Sequence, residues 1–204
     1  MAKEVTLLVR DINEAGSYGF NIAEYVVTEP MESVFMGREV VSEEMFIESL
    51  ERNKQANVVI AIGTPSVRQR IVNRLNDYDI RYPCLVHPSS KLNSSVNIKE
   101  GVIICSNVIF TVDITIGKHT YINFGCSIAH DVKIGDFVQI NPFACISGKV
   151  KIGDNSVVGA GSVIYGGIKI GAGCTIGIGS VVLQDLKENT TVFGNPARKL
   201  PLKM

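Results

Sequence analysis

VNIKEG VIICSN VIFTVD ITIGKH TYINFG CSIAHD VKIGDF VQINPF ACISGK VKIGDN SVVGAG SVIYGG IKIGAG CTIGIG SVVLQD, residues 96–185, falls into 15 consecutive hexads with no insertion. The third position is Ile or Val in 14 of them and Phe110 in the other. A helix cannot bury one face with a period of six, because 3.6 does not divide it. A short strand followed by a corner can, with two inward residues, two outward ones and a turn. The first position, apolar or small at Thr120, Cys126, Val132, Ala144 and Ser156, supplies the second inward residue. After the buried Ile the chain has Gly in six hexads (117, 135, 153, 159, 171, 177) and Asn in two (Asn123, Asn141). Those residues tolerate positive φ and are predicted to make the corners. A corner every six residues closes a solenoid into a triangular prism of 18-residue coils, with parallel strands about 4.8 Å apart. An antiparallel sandwich would need a period of two and turns of varied length. Two weaker hexads, CLVHPS and SKLNSS, extend the pattern forward through Val86 and Leu92.

Ahead of the repeat, residues 1–85 read as a small α/β unit. NVVIAI, residues 57–62, is a buried strand by composition. Gly63, Thr64 and Pro65 turn it into a helix, with Thr64 as N-cap, Pro65 in the first turn, and Val67, Ile71, Val72 and Leu75 on one face. Ser42, Glu43 and Glu44 start another helix running to about Arg52, and IRYPCLV leads into the solenoid. Formal net charge is zero and no basic cluster appears, which argues against nucleic acid or anionic lipid as partner. No apolar run approaches a membrane span or a signal-peptide core, so the expected location is cytoplasmic. Five cysteines without a CxxC make neither a disulfide framework nor a zinc site, and no metal is expected. Cys126 and Cys174 fall at inward positions as core thiols, and Cys105 at a corner.

Stacking at intervals of 18 sorts corner residues into three columns. One reads Val112, His130, Gly148, Gly166; the second Phe124, Pro142, Ala160, Ile178; the third Lys118, Asp136, Asp154, Ala172. The third, largely charged, is expected to face water, and the other two to meet neighbouring subunits in a closed assembly. His130 is the candidate general base, since an imidazole ordinarily titrates near pH 6.5 and can accept a proton from an amine or hydroxyl near neutrality. Gly148 and Gly166 lie along its column, one residue beyond the usual corner glycine. They are expected to leave a groove, and the Gly148 N–H is the candidate oxyanion donor. Asp131 stacks over Asp113. The pair is either solvated or serves to orient His130, raise its basicity or receive a cationic acceptor. His87 and His119 lie away from the His130 column.

The repeat, the stretch IAHDVKIGDFVQINPFACISGKVKIGDNSVVGAGSV and the tail VFGNPARKL together resemble the hexapeptide-repeat acyltransferases, in the branch of sialic-acid O-acyltransferases and nucleotide-amino-sugar N-acetyltransferases. The resemblance implies a mainly β chain: a C-terminal left-handed parallel β-helix preceded by a reduced Rossmann-like α/β domain. Its divisions would be an acceptor-binding unit at 1–85, the acyltransferase β-helix at 86–190 and a tail at 191–204 closing the CoA groove. It further implies a homotrimer with acetyl-CoA as co-substrate, bound between subunits along Gly148, Ala160, Gly166 and Ile178. Asn195 and Arg198 of the tail would meet it too, Arg198 being equally readable as a solvated charge. His130 and Asp131 would be the catalytic pair, and Gln139 would stand where relatives often carry a second histidine that contacts the acyl group. The implied reaction is acetylation of an amino or hydroxyl group of a sugar, nucleotide-linked, in surface-glycan biosynthesis. O-acetylation of a free sugar such as sialic acid is the alternative, and a structural β-helix subunit the non-enzyme one. A γ-type carbonic anhydrase would require three zinc histidines, and the repeat holds His119 and His130 on different edges. Relatives usually open with a strand and a glycine-rich loop. In VTLLVRDINEAGSYGFNIAEYVV that loop is either Gly16-Ser17-Tyr18-Gly19 or shortened away.

Overall fold

The computed structural model describes residues 1–16, 18–53 and 55–200. The hexads build a left-handed parallel β-helix with three faces. The first stacks strands from Val96–Ile98 to Lys169–Ile170, and the third from Ile109–Phe110 to Val181–Val182. The second starts at Leu85–Val86, ahead of the fifteen hexads, and ends on an antiparallel pair, Thr191–Phe193 with Arg198–Lys199. Register runs at 18 residues per rung, as in Ile122 beside Ile140 and Ser127 beside Cys145. Ile116, Ile122, Ile128, Ile134, Ile140 and Ile146 fill the axis and are buried. Each contributes about 1.5–3 kcal/mol relative to exposure. Cys126 and Cys174 are fully buried among them, and burial pushes the Cys126 thiol up to about 11.

The corners differ from expectation by two residues. Positive φ falls at the sixth hexad position, on Asp113, His119, Asp131, Phe137, Phe143, Lys149 and Asn155. The fourth-position glycines keep negative φ, and their bareness answers a different need. A Cβ on Gly153 would lie 2.5 Å from the Ala172 nitrogen, and one on Gly159 2.6 Å from the Ile178 nitrogen. Backbone of the next coil passes where a side chain would stand.

The N-terminal unit opens in helix α1 (Ala2–Glu14), not in a strand followed by a phosphate loop. Val5, Leu8, Val9 and Ile12 recur at helical spacing and pack on Leu85, Ile103 and Tyr121 of the second face. Gly16, with φ 72, follows the C-cap Ala15 and donates to the Asn13 carbonyl, so it ends a helix. Ser17 lies outside the described residues. Parallel strands Glu24–Val27 and Arg38–Ser42 follow, then helix α2 (Glu43–Asn53), whose Met45 N–H is capped by the Ser42 hydroxyl. The expected strand at 57–62 pairs only over Gln55–Asn57, beside Asp79–Arg81. Beyond it Val59 and Ala61 pack against the α1 cluster without a ladder. Helix α3 (Pro65–Arg74) starts at Thr64 as expected, although the Thr64 side chain makes no cap bond.

This unit covers the second face and the residues just after the corner column expected to face water, while Lys118 and Asp154 of that column stay exposed. His119 is buried, stacked on Phe137 at 5.0 Å and edge-on to Tyr82 at 4.6 Å. The aspartates of that column are spent on backbone. Asp136 accepts from the Lys118 N–H and Asp154 from the Asp136 N–H.

Candidate active site

His130 and Asp131 occupy the two turn positions of the corner between the third and first faces. Asp131 sits at φ 60, which turns its carboxylate back on its neighbour: His130 Nδ1–H donates to Oδ2 at 2.9 Å. That bond fixes the tautomer, leaving Nε2 as the free acceptor. Both side chains are about half exposed in the protomer.

Gly148 explains itself at this point. A Cβ there would lie 2.5 Å from His130 Nε2 and 2.6 Å from Cε1, so the imidazole occupies the space a side chain would fill. The expected groove therefore does not begin at Gly148 but beyond it. At Gly166 a Cβ would meet only the Gly148 carbonyl at 3.2 Å and the Ser147 Cβ at 3.9 Å. Among the described residues the Gly148 N–H has no hydrogen-bond acceptor, while its carbonyl takes the Gly167 N–H. A free donor thus stands next to the free nitrogen of His130. Asp113, one rung from Asp131, donates its own N–H to the Ser95 hydroxyl oxygen and has no hydrogen bond to His130 or Asp131.

Gln139 is not part of this corner. It is buried on the second face, where Oε1 accepts from Arg68 Nη1 at 2.9 Å and Nε2 donates to Asn141 Oδ1 at 3.2 Å. Each polar atom of this amide thus already has a partner, beneath the N-terminal unit and away from His130 of the same chain. Cys105 is likewise half-buried, not a corner thiol in solvent; its Sγ lies 3.1 Å from Tyr121 Oη, and burial raises its pKa. His87 bridges Asp11 and Ser89 and ties α1 to the first coil.

The remaining expected contacts lie on another edge. Ala160 and the exposed Ile178 stand at the corner between the second and third faces. The tail folds against that corner: the Val181 N–H donates to the Gly194 carbonyl, and Phe193 lies over Gly177. Asn195 and the exposed Arg198 belong to this hairpin, and residues 201–204 of the tail lie outside the described residues. One protomer thus keeps Gly148 and Gly166 apart from Ala160, Ile178, Asn195 and Arg198. Between the two groups, the third face carries exposed Ile109 and Val163, and its flanking corners carry Val112, Tyr165, Phe124, Phe143 and Ile178. On the first face three successive outward residues, Lys133, Lys151 and Lys169, form one exposed column beyond Asn97 and Thr115.

The buried polar residue that sequence reasoning missed is Arg68 of α3, 1% exposed. Desolvation holds its pKa down to about 10.

Residues 113–148 and 149–184 match the family described as bacterial transferase hexapeptide (six repeats). Among solved structures, WeeI from Acinetobacter baumannii AYE is 30% identical over 97% of this chain and 94% of its own, with a TM-score of 0.84. A histidine-to-asparagine mutant of perosamine N-acetyltransferase from Caulobacter crescentus, in complex with CoA and GDP-perosamine, is 26% identical over 97% and 92%, with a TM-score of 0.88. The acetyltransferase domain of PglB from Neisseria gonorrhoeae FA1090, in complex with acetyl coenzyme A, is 25% identical over 96% and 93%, with a TM-score of 0.84. No curated protein sequence matches this chain.

Proposed function

The chain belongs to the hexapeptide-repeat acyltransferase family, and from that premise we propose that it moves an acetyl group from acetyl-CoA to the amino group of a nucleotide-linked sugar, in surface-glycan biosynthesis. The observation that carries the chemistry is the His130–Asp131 bond with Nε2 turned over Gly148. Asp131 holds the ring and stabilises the imidazolium that forms. His130 Nε2 takes a proton from the acceptor amine as nitrogen bonds to the thioester carbonyl carbon. The Gly148 N–H faces the oxyanion of the tetrahedral intermediate. Collapse breaks the carbon–sulfur bond, and the proton passes from His130 to the departing CoA thiolate, leaving amide and free thiol.

Two features support a trimer with composite sites. The third face and its corners are apolar and exposed in the protomer, which suits a closed cyclic interface. Such an interface would also bring the Gly148–Gly166 corner of one subunit towards the Ala160–Ile178 corner and tail of the next, making one donor groove from two edges. The N-terminal unit covers the second face of its own protomer, away from its own His130, so the acceptor it holds would be presented to a neighbour's base. The similar structures that hold CoA with GDP-perosamine support a nucleotide-linked acceptor. Free-thiol release with UDP-, TDP- and GDP-amino sugars, against free sugars, tests the reading. Release is expected with a nucleotide-linked amino sugar. Turnover confined to free-sugar hydroxyls would overturn the acceptor, and absence of thermal protection by acetyl-CoA would overturn the donor.

A further inference from the structure

Arg68 reaches from α3 into the β-helix and, among the described residues, is buried without a carboxylate partner. Six neutral oxygens surround its guanidinium. Nε donates to the His119 carbonyl at 3.1 Å. Nη1 donates to the carbonyls of Ile62 at 2.7 Å and Gly63 at 3.1 Å, and to Gln139 Oε1 at 2.9 Å. Nη2 donates to the carbonyls of Phe137 at 2.9 Å and Val138 at 3.0 Å. Two acceptors belong to the N-terminal unit and four to two successive coils.

Burying a cation among neutral groups is a costly way to hold two domains together, and an apolar residue of similar volume would serve packing as well. What the planar fork adds is direction: it accepts one placement of the 62–63 backbone relative to coils 119 and 137–139. The carbonyls it grips precede Thr64 and the start of α3, at the carboxyl end of the Gln55–Asn57 strand segment. That end is where α/β units present their ligands. The same guanidinium holds Gln139, whose Nε2 fixes Asn141 at the next corner. We propose that Arg68 is a positioning residue that keeps the 62–64 loop leading into α3, which we place at the acceptor, in register with the β-helix, so that acceptor binding depends on it and donor binding does not. This rests on the division of labour proposed above.

The Arg68→Lys variant tests it, because an ammonium cannot span six acceptors. The acceptor KM is expected to rise roughly tenfold or more, with the acetyl-CoA KM within about twofold of wild type. Free guanidinium is expected to lower the acceptor KM of Arg68→Ala towards wild type. Amide hydrogen exchange should accelerate at residues 59–66 and stay unchanged over residues 126–182. An unchanged acceptor KM with unchanged exchange would overturn the proposal. So would a parallel rise in both KM values with exchange accelerated throughout, which is ordinary destabilisation. If Arg68→Lys does not fold, Gln139→Met removes one acceptor and the link to Asn141 while leaving the rest. It should reproduce the KM split in weaker form, and wild-type KM values there would count against the proposal. Failure of the acetylation reading is seen separately, as absence of acetyl-CoA-dependent product with the wild-type protein. The exchange measurement then decides the role of Arg68 without an acceptor.

Discussion

The imidazole of His130 is held through one nitrogen and open at the other, so replacing it separates chemistry from folding. His130→Ala should leave thermal unfolding unchanged and lower thiol release by on the order of 100-fold or more; near wild-type turnover would remove His130 from the mechanism. Gly148→Ala probes the same geometry from the other side, since the added methyl must displace the ring it meets at 2.5 Å. Turnover should fall while acetyl-CoA still protects against unfolding. His119 carries a pH prediction. Burial holds its pKa below the usual 6.5, a neighbouring Glu100 opposing and Lys118 and Arg68 reinforcing. As pH falls below about 6.5 the unfolded chain takes the proton first, so stability present above that pH is lost progressively as pH drops towards the lowered folded value. His119→Asn, suited to φ 53, should flatten that slope in chemical denaturation between pH 7 and 5. His130 and Asp131 were legible in the sequence because columns follow from counting. Arg68 was not: on α3 it reads as one more solvated charge among Arg70 and Arg74, and only docking against coils 119 and 137 buries it.

Each coil repeats the same three tasks, and substitutions within one hexad report on different physics. Ile134→Ala should cost about 2–5 kcal/mol in urea unfolding, because the stacked coils above and below leave little room to collapse into the cavity. Lys149 sits at φ 64, a conformation that costs a side-chain-bearing residue roughly 1–2 kcal/mol. Lys149→Gly should therefore raise the unfolding midpoint, and a lowered one would show that its side chain compensates. The hexad period made the strands legible to the residue, yet the corner conformation was assigned to position four. Glycine has two reasons to occur in a turn, positive φ and close backbone approach, and composition does not tell them apart. Helix α1 was missed for a related reason. Its apolar set Val5, Leu8, Val9 and Ile12 has helical spacing, whereas the resemblance to relatives that open with a strand implies a strand over the same residues.

At the scale of the assembly, the exposed apolar side chains of the coils are gathered on the third face and its corners, while the lysines stand on another face and the N-terminal unit, which carries exposed apolar residues of its own such as Met31 and Val34, covers the last. Val163→Glu, at the centre of the apolar face, should turn the proposed trimer into monomers by sedimentation and abolish turnover without unfolding the coils. An active monomer would refute the composite site. The proposed trimer rests on uncharged columns and an apolar face, because the contacts that would complete it are not within one chain. The absence of any insertion across residues 96–185 has a last consequence, for how such a chain can change its length. One residue added between Asp131 and Val132 would shift every later position by one column. Gly148 would leave the imidazole, and the outward Lys151 and Lys169 would move towards the axis. Length variation is thereby quantised: whole coils of 18 can come and go at the far end, whereas between His130 and Gly166 the spacing tolerates no remainder.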